Sequence, residues 1–567
     1  MSESPPAALL PREVDVVIVG AGVAGLYCAW RILTYYPEKR VLVVDRLNRT
    51  GGRLQSDLID YGGGEVREEE GGMRFVSAHD LLLRTFAALD KCPDIVTFPM
   101  QDPSGHNRRA YRGRSFTVKG SEADHNAIWG ELYNLAPDGS EPRERGVEPA
   151  EIISDVYTRV LRENGHDEPP ANPTPDFWQR LRLDFTWKGT SLKDWQFWGL
   201  LTDMGYSNEC VVMLTQTIGF EGPIVDMANA GVALQLLMDF PADPAFYTAR
   251  AGFAAIPDAL ADRVEKAGGR IALDTELTAI AQKSDGSYEL AFAPEWTDRT
   301  RAGLGVPTTQ VHTPEAILAI PSGPLMDLYP NSPALHAVKD TQALLERLRS
   351  VVGLPLLKVN LYYERPWWEN GSLGIPPFTA GPSFTDLAIN AVYPFGSIEG
   401  DPIDGPAALT IYCDYAKINL WRGLQGIPPM FDSEIQRAHS HKPQTIFPAS
   451  QAVVREVTAQ LKLLFDVDAL PEPVMTSYQL WTDELETGAA YHQWALGADD
   501  RDVIANLIEP LPGLYTAGEA YSDMQGWVEG ALRSAELVLS RMEIPSLLDE
   551  DIDPCPLPMQ PLWPSSD

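Results

Sequence analysis

The sequence predicts a composite α/β fold: a discontinuous doubly wound domain, a second domain on a mixed sheet, and a helical insertion. Three observations carry this. A β-branched run, Val16-Val17-Ile18-Val19, breaks into Gly20-x-Gly22-x-x-Gly25 and continues as a largely apolar helical stretch to Tyr36. Strand and helix signals of the same kind return in two separated blocks, at residues 246–324 and 498–545. The intervening stretches differ in period, one mostly helical and one alternating strand-like runs with Gly/Pro loops.

The first block, residues 12–75, reads as a βαβ unit. Val16–Val19 is a buried parallel strand, and a second run, Val41–Val44, ends on Asp45, 20 residues beyond Gly25. Glycines at this spacing let backbone N–H groups and the helix N-terminus approach a pyrophosphate, and the acid takes a ribose hydroxyl. Arg49-Thr50-Gly51-Gly52-Arg53 follows directly, and Glu70-Gly71-Gly72-Met73-Arg74 begins 17 residues after Arg53. A nicotinamide enzyme has no use for a Gly-Gly-Arg turn here. A tightly held FAD does, because the glycines bring the chain against the pyrophosphate and Arg53 offsets part of its charge. The domain is therefore Rossmann-like. The run Arg67-Glu68-Glu69-Glu70 is a like-charge cluster expected mostly to face solvent.

In the second block a helix over 256–267 stops at Gly268-Gly269. A strand at 270–273 follows, then strands at 277–281, 288–292 and 310–320 that read as a small antiparallel layer. The third block holds a strand from Leu514 that ends on Glu519, and Gln525-Gly526-Trp527-Val528-Glu529-Gly530-Ala531 opens its helix. Residues 76–120 and 325–497 form the mixed-sheet domain, with strands at 356–363, 387–393 and 408–415 and an amphipathic helix over 450–465. Residues 121–245 form the helical insertion, with helices over 152–163, 192–204, 210–217 and 225–238. Residues 546–567 are an acidic, Pro-rich tail expected to be solvated.

Composition narrows the partners. The formal net charge of −34 argues against nucleic acid and against an anionic membrane surface. No 18-residue apolar run predicts a membrane span, and residues 1–13 lack the basic and apolar regions of a signal peptide, so a cytoplasmic address is expected. Cys28, Cys92, Cys210, Cys413 and Cys555 are dispersed without a C-x-x-C spacing, which predicts reduced thiols and no zinc site. His439 and His441 with Asp432 lie in a polar stretch and read as a solvated loop, so no metal is expected.

Taken in this order, the glycine fingerprint, Gly51-Gly52-Arg53, Gly71-Gly72-Met73-Arg74 and the two C-terminal segments resemble the flavin amine oxidase (monoamine oxidase-like) superfamily. The resemblance spans residues 12–80, about 250–365 and 450–540. It implies FAD contacts from Gly20, Ala21, Gly22, Val23, Ala24, Gly25, Asp45, Arg46, Gly52, Arg53, Gly72, Met73, Arg74, Leu277, Gly518, Glu519, Gln525, Trp527 and Val528. Arg74 directly after Gly71-Gly72-Met73 is similar to the L-amino acid oxidase branch, where an arginine at this place takes the substrate carboxylate. Tyr412 matches a tyrosine that adds a second bond to that carboxylate. Lys358, on the apolar strand 356–363, matches a lysine that holds a water against flavin N5. Tyr491, Gly526 and Trp527 match the walls beside the flavin face. Ala490 stands where monoamine oxidases carry a flavin-bonded cysteine, which implies non-covalent FAD.

The expected reaction is oxidative deamination of an L-amino acid by molecular oxygen to a 2-oxo acid, ammonia and hydrogen peroxide. Trp187, Trp195, Trp198, Trp367, Trp368, Trp481 and Trp494 suggest a large pocket and hence a large hydrophobic or polar side chain. Asp483, Glu484 and Glu486 leave arginine or lysine open. The alternatives are a tryptophan-type amino acid 2-monooxygenase and a FAD-fold binding protein without turnover, like the Rab escort proteins. A homodimer or higher homo-oligomer is expected.

Overall fold

The computed structural model describes residues 10–60, 65–171, 173–219, 227–239, 245–294, 308–395, 405–426, 448–482 and 488–558. At its centre is a five-stranded sheet. Strand β1 (Val16–Val19) pairs in parallel with β2 (Val41–Val44) on one side and with Glu315–Leu318 on the other. Arg270–Ala272 and Leu514–Thr516 extend the sheet at its two ends, also in parallel. All three sequence blocks thus supply strands to one sheet. Every residue of β1 and β2 is buried, as expected of strands with helices on both faces. Helix α1 (Val23–Tyr35) packs against the helices Ala255–Lys266 and Val528–Arg541.

The run predicted as one strand over 310–320 is two. Pro314 cannot donate to a ladder and breaks it. Thr309–Thr313 joins Thr275–Gln282 and Tyr288–Pro294 in a three-stranded antiparallel layer, whereas Glu315–Leu318 turns into the parallel sheet beside β1.

The second large sheet has seven strands, in the order Met475–Trp481, Leu356–Tyr363, Ala407–Cys413, Ala391–Phe395, Ser383–Thr385, Arg108–Tyr111 and Arg114–Thr117. It is mixed because Ser383–Thr385 runs parallel to Arg108–Tyr111. The helix Gln451–Phe465 covers one of its faces, burying Val453, Val457, Leu461 and Leu464. A short antiparallel hairpin, β3 (Ser56–Asp60) with β4 (Glu65–Glu69), lies against this sheet and leads to the Gly71-Gly72 turn. The insertion is helical, with helices at Pro149–Glu163, Pro175–Leu183, Phe197–Asp203, Asn208–Thr217 and Ala230–Met238. It is tied to the third block by the Arg182–Asp500 ion pair, 2.6 Å long with both side chains buried.

Two expectations about the chain end and the thiols are corrected. Cys92 and Cys555 form a disulfide, while Cys28, Cys210 and Cys413 are free and buried. Residues so far apart in sequence meet because the first part of the tail folds back over α2 (Asp80–Ala88). Leu547 and Cys555 are buried there, and Arg31 binds Glu550 and the Pro545 carbonyl. That part of the tail is docked rather than solvated. Among the described residues no helix is long and apolar enough to cross a membrane, and no cluster of His, Cys, Asp and Glu fits a metal ion. His439, His441 and Asp432 lie outside the described residues.

Candidate active site

A cavity of about 760 Å³ runs along the C-terminal edge of the parallel sheet, where this topology places its ligands. Gly20, Gly22, Val23 and Ala24 form one wall with Asp45, Arg46, Gly51, Gly52, Arg53 and Gly72. Leu277, Gly518, Glu519, Gly526, Trp527 and Val528 form the other. Packing explains two of the glycines. A Cβ on Gly25 would lie 2.0 Å from the Gly20 carbonyl oxygen, so only glycine lets α1 start this close to the strand. At Gly22 a Cβ would meet nothing nearer than the Gly52 Cα at 3.9 Å and would project into the cradle. Leu277 reaches the cavity at the register shift between Leu277 and Ala279, a bulge that re-aims the side chain.

Asp45 is the acid at the end of β2. Its carboxylate accepts from the Ala21 N–H at 2.7 Å and the Leu47 N–H at 2.8 Å, fixing the glycine turn to the strand end. Burial pushes its carboxyl up, against those two hydrogen bonds.

Glu519 is the most fully partnered carboxylate of the site. It accepts from the His492 N–H at 2.9 Å, His492 Nδ1 at 2.9 Å, the Gly526 N–H at 2.7 Å and Arg53 at 2.5 Å. Burial pushes its carboxyl up, but Arg53 and His492 outweigh this and hold it well below the usual range, so it stays ionised. Arg53 therefore spends part of its charge on Glu519 as well as facing the cavity. His492 was missed by the sequence reading. No local period marked it, because the strand does not alternate: His492, Gln493 and Trp494 are all buried.

Trp527 stands at the cavity edge with the ring of His79 packed edge-on against it, centroids 4.9 Å apart. Burial holds the His79 imidazole down, to about 3, so it is neutral at physiological pH. Tyr491 lies beside Gly526, whose Cβ would meet its ring at 4.0 Å. Ala490 lines the cavity and offers no nucleophile.

Beyond the Gly72 wall stand the groups expected to meet substrate. Arg74 is half-buried among aromatic rings, its guanidinium carbon 5.0 Å from the Phe246 centroid and 5.9 Å from those of Phe98 and Tyr393. It donates to Met100 Sδ at 2.8 Å and to the Tyr393 hydroxyl at 3.3 Å. Tyr393, on the strand next to that of Tyr412, thus places a hydroxyl on Arg74. Tyr412 packs edge-on against Tyr393 and lies under Lys358, whose Nζ is 5.7 Å from its ring centre. Lys358 is wholly buried and donates to the Glu69 and Gly71 carbonyls. Met73 packs against Lys358 Nζ at 3.8 Å; like Ala21, Gly25, Arg74, Lys358, Tyr412, Tyr491 and Gln525, it lies outside the cavity lining.

Two expectations fail here. Glu68, Glu69 and Glu70 do not face solvent; all three are buried. Nor do the seven tryptophans of the sequence reading line the cavity. Trp187 and Trp494 belong to the core around the helical insertion, with Trp195 and Trp198 packed against it. Trp367 and Trp368 pack with Phe465 under the large sheet. Trp481 donates to the Glu70 carbonyl at 2.7 Å. Asp483, Glu484 and Glu486 lie outside the described residues.

The chain is similar to known proteins along most of its length. A family model described as flavin containing amine oxidoreductase matches residues 23–425 and 435–538. Aplysianin-A of Aplysia kurodai is 25% identical over 93% of this chain and 90% of its own length. An L-glutamate oxidase precursor of Streptomyces viridosporus is 24% identical over 64% of this chain and 55% of its own. The structure of a cyclohexylamine oxidase from Brevibacterium oxydans superposes with a TM-score of 0.59, covering 94% of this chain and 99% of that one at 17% identity. At that identity the likeness speaks for the fold alone.

Proposed function

The chain belongs to the flavin containing amine oxidoreductase family, and on that premise we propose that it deaminates L-amino acids oxidatively to 2-oxo acids, releasing ammonia and hydrogen peroxide. The family brings FAD, and the residues fit it: a glycine cradle, an acid at the end of β2 and a cavity of about 760 Å³ between them. When bound, FAD supplies the two-electron oxidation and hands the electrons to oxygen. The remaining tasks fall to the chain.

Arg74 carries the amino acid reading. A planar guanidinium binds a carboxylate through two parallel hydrogen bonds, and a simple amine has no group that needs it. The Tyr393 hydroxyl beside it gives the carboxylate a further donor. Clamping that end of the substrate fixes where its Cα–H points, and orientation of this kind can supply much of the rate. No strong base is needed if the amine enters neutral. Phe98, Phe246 and Met100 around Arg74 favour a large, mainly apolar substrate side chain. The likeness to an L-glutamate oxidase supports the amino acid class. Ala490 leaves the FAD without a covalent bond.

The test is a peroxide-coupled screen of the twenty L-amino acids, with product analysis on the best one. A 2-oxo acid with stoichiometric peroxide is expected. An amide with carbon dioxide would make the protein a monooxygenase, and no flavin reduction by any amino acid would refute the reading.

A further inference from the structure

Behind the Gly71-Gly72 wall lies a group of ionisable side chains that the reaction as described leaves unused. Glu68, Glu69, Glu70 and Lys358 are each at most 4% exposed. Successive residues of an extended chain point to opposite faces, and here both faces are covered. Glu69 accepts from the Ser56 hydroxyl at 2.6 Å and the Phe253 N–H at 2.9 Å. Glu68 and Glu70 turn to the large sheet. The Thr410 hydroxyl donates to Glu68 Oε1 at 2.6 Å, and Ser477 and Asn360 donate to Glu70 Oε1 at 2.8 and 3.2 Å. The donors then run out. Among the described residues, Glu68 Oε2, Glu70 Oε2 and Asn360 Oδ1 are buried with no hydrogen-bond partner. Lys358 Nζ is directed at the main-chain carbonyls of Glu69 and Gly71 instead.

Charge points the same way as geometry. Three ionised carboxylates against one ammonium would leave two uncompensated charges out of reach of water, and a buried carboxyl avoids that by keeping its proton. Burial pushes Glu68 up to about 8 and Glu69 and Glu70 to about 7, and pushes Lys358 down to about 8. Asp57 on β3 adds to the rise of Glu70, and Arg67 on β4 opposes that of Glu69. Arg74 adds to the fall of Lys358, and Tyr362 faces Glu68 and Glu70 from the lysine's own strand.

We infer that Glu68, Glu69, Glu70 and Lys358 form one buried proton store beside the cavity, in which the glutamates act through Lys358 as positioning residues for the oxygen half of the reaction. Carboxyl protons supply the missing donors. The need for a store follows from the balance of the proposed reaction, on which this part rests. An amino acid ammonium gives up one N–H proton to enter as an amine, then loses Cα–H with its electron pair. Oxygen takes up both electrons and two protons to become peroxide, leaving a protonated imine. The proton from nitrogen is released in one half-reaction and consumed in the other.

The test begins with thermal unfolding of the FAD-loaded protein as a function of pH. A carboxyl whose folded pKa is raised stabilises the fold fully below its unfolded value and loses that contribution as pH rises through the folded one. Between the ordinary 4.5 and about 8 the melting temperature should therefore fall. Lys358 is shifted the other way. Its contribution is present above the ordinary 10.5 and lost as pH falls through about 8, so it does not create the slope below that. In the double variant Glu68→Gln/Glu70→Gln the fall should be clearly shallower, because amides donate without titrating, while Glu69, Glu529 and Asp239, raised to about 7, 7 and 6, keep the remainder. An equal fall in parent and variant would overturn the store. If the double variant does not fold, infrared spectra of the glutamate-labelled parent decide: a protonated carboxyl band at neutral pH is expected, and its absence overturns the store. Glu70→Gln alone should move the pH midpoint of flavin reoxidation and leave that of anaerobic reduction in place; an unmoved midpoint overturns the positioning role. A protein that oxidises no amino acid yet keeps the melting slope would lose the functional reading and retain the store.

Discussion

Arg74 and Lys358 are both cations next to the same turn, and their surroundings fit them for different work. Lys358 is wholly buried and spends its donors on two carbonyls, whereas Arg74 is half-buried and ringed by aromatic faces. Replacing Lys358 with Met should slow flavin reoxidation at least tenfold and change anaerobic reduction far less. Stopped-flow traces with both halves slowed equally would contradict that division. The two tyrosines can be separated in the same way. The Tyr393 hydroxyl accepts from Arg74, and Tyr412 packs edge-on against Tyr393. A hydrogen bond to a charged group contributes about 1.5–3 kcal/mol, so Tyr393→Phe should lower kcat/KM for an amino acid by roughly ten- to a hundredfold. Tyr412→Phe should cost less, and the reverse order would return the carboxylate contact to Tyr412. Sequence alone favoured Tyr412 because position along a motif is legible there. Which of two neighbouring strands turns a hydroxyl towards Arg74 depends on sheet register, which the sequence does not display.

At the scale of elements, legibility followed local period. Val16–Val19, Val41–Val44 and the helix Gln451–Phe465 fall where their apolar patterns put them, because each pattern is complete within a few residues. The glutamate run misled for the opposite reason. A charged strand normally faces water, and nothing within β4 reveals that the large sheet covers one face while Ser56 and Phe253 cover the other. Pro314 did carry its own warning, and the strand predicted across it ignored the missing N–H. The glycine turn gives a test at this scale. In Gly25→Ala the added methyl carbon would need room held by the Gly20 carbonyl oxygen at 2.0 Å, so α1 must shift away from the cradle. The variant should purify with little or no FAD, measured by the flavin-to-protein absorbance ratio. Full occupancy would show that the turn tolerates a Cβ.

The whole molecule is held together by contacts that cross hundreds of residues, and these are what the sequence concealed most. The disulfide between Cys92 and Cys555 spans 463 residues and pins the tail beside α2. Removing a native disulfide typically costs about 2–5 kcal/mol, so Cys92→Ser should lower the melting temperature by several degrees, and reducing agent should do the same to the parent only. No change in either would mean that the tail docks without the bond. The composite fold brings its cofactor cavity from three separated blocks and the groups around Arg74 from the mixed-sheet domain and, with Phe246, from the second block. At this junction Arg74 is proposed to read a substrate carboxylate. The direct measurement is kcat/KM for the best amino acid and for the amine made by decarboxylating it, on the parent and on Arg74→Ala. A desolvated charged contact is worth about 2–5 kcal/mol when truncated, so the amino acid should lose roughly two to three decades or more. The amine, already poor, should lose almost nothing, and FAD should stay bound. Equal losses on both substrates would assign Arg74 to the fold or the flavin and contradict the claim.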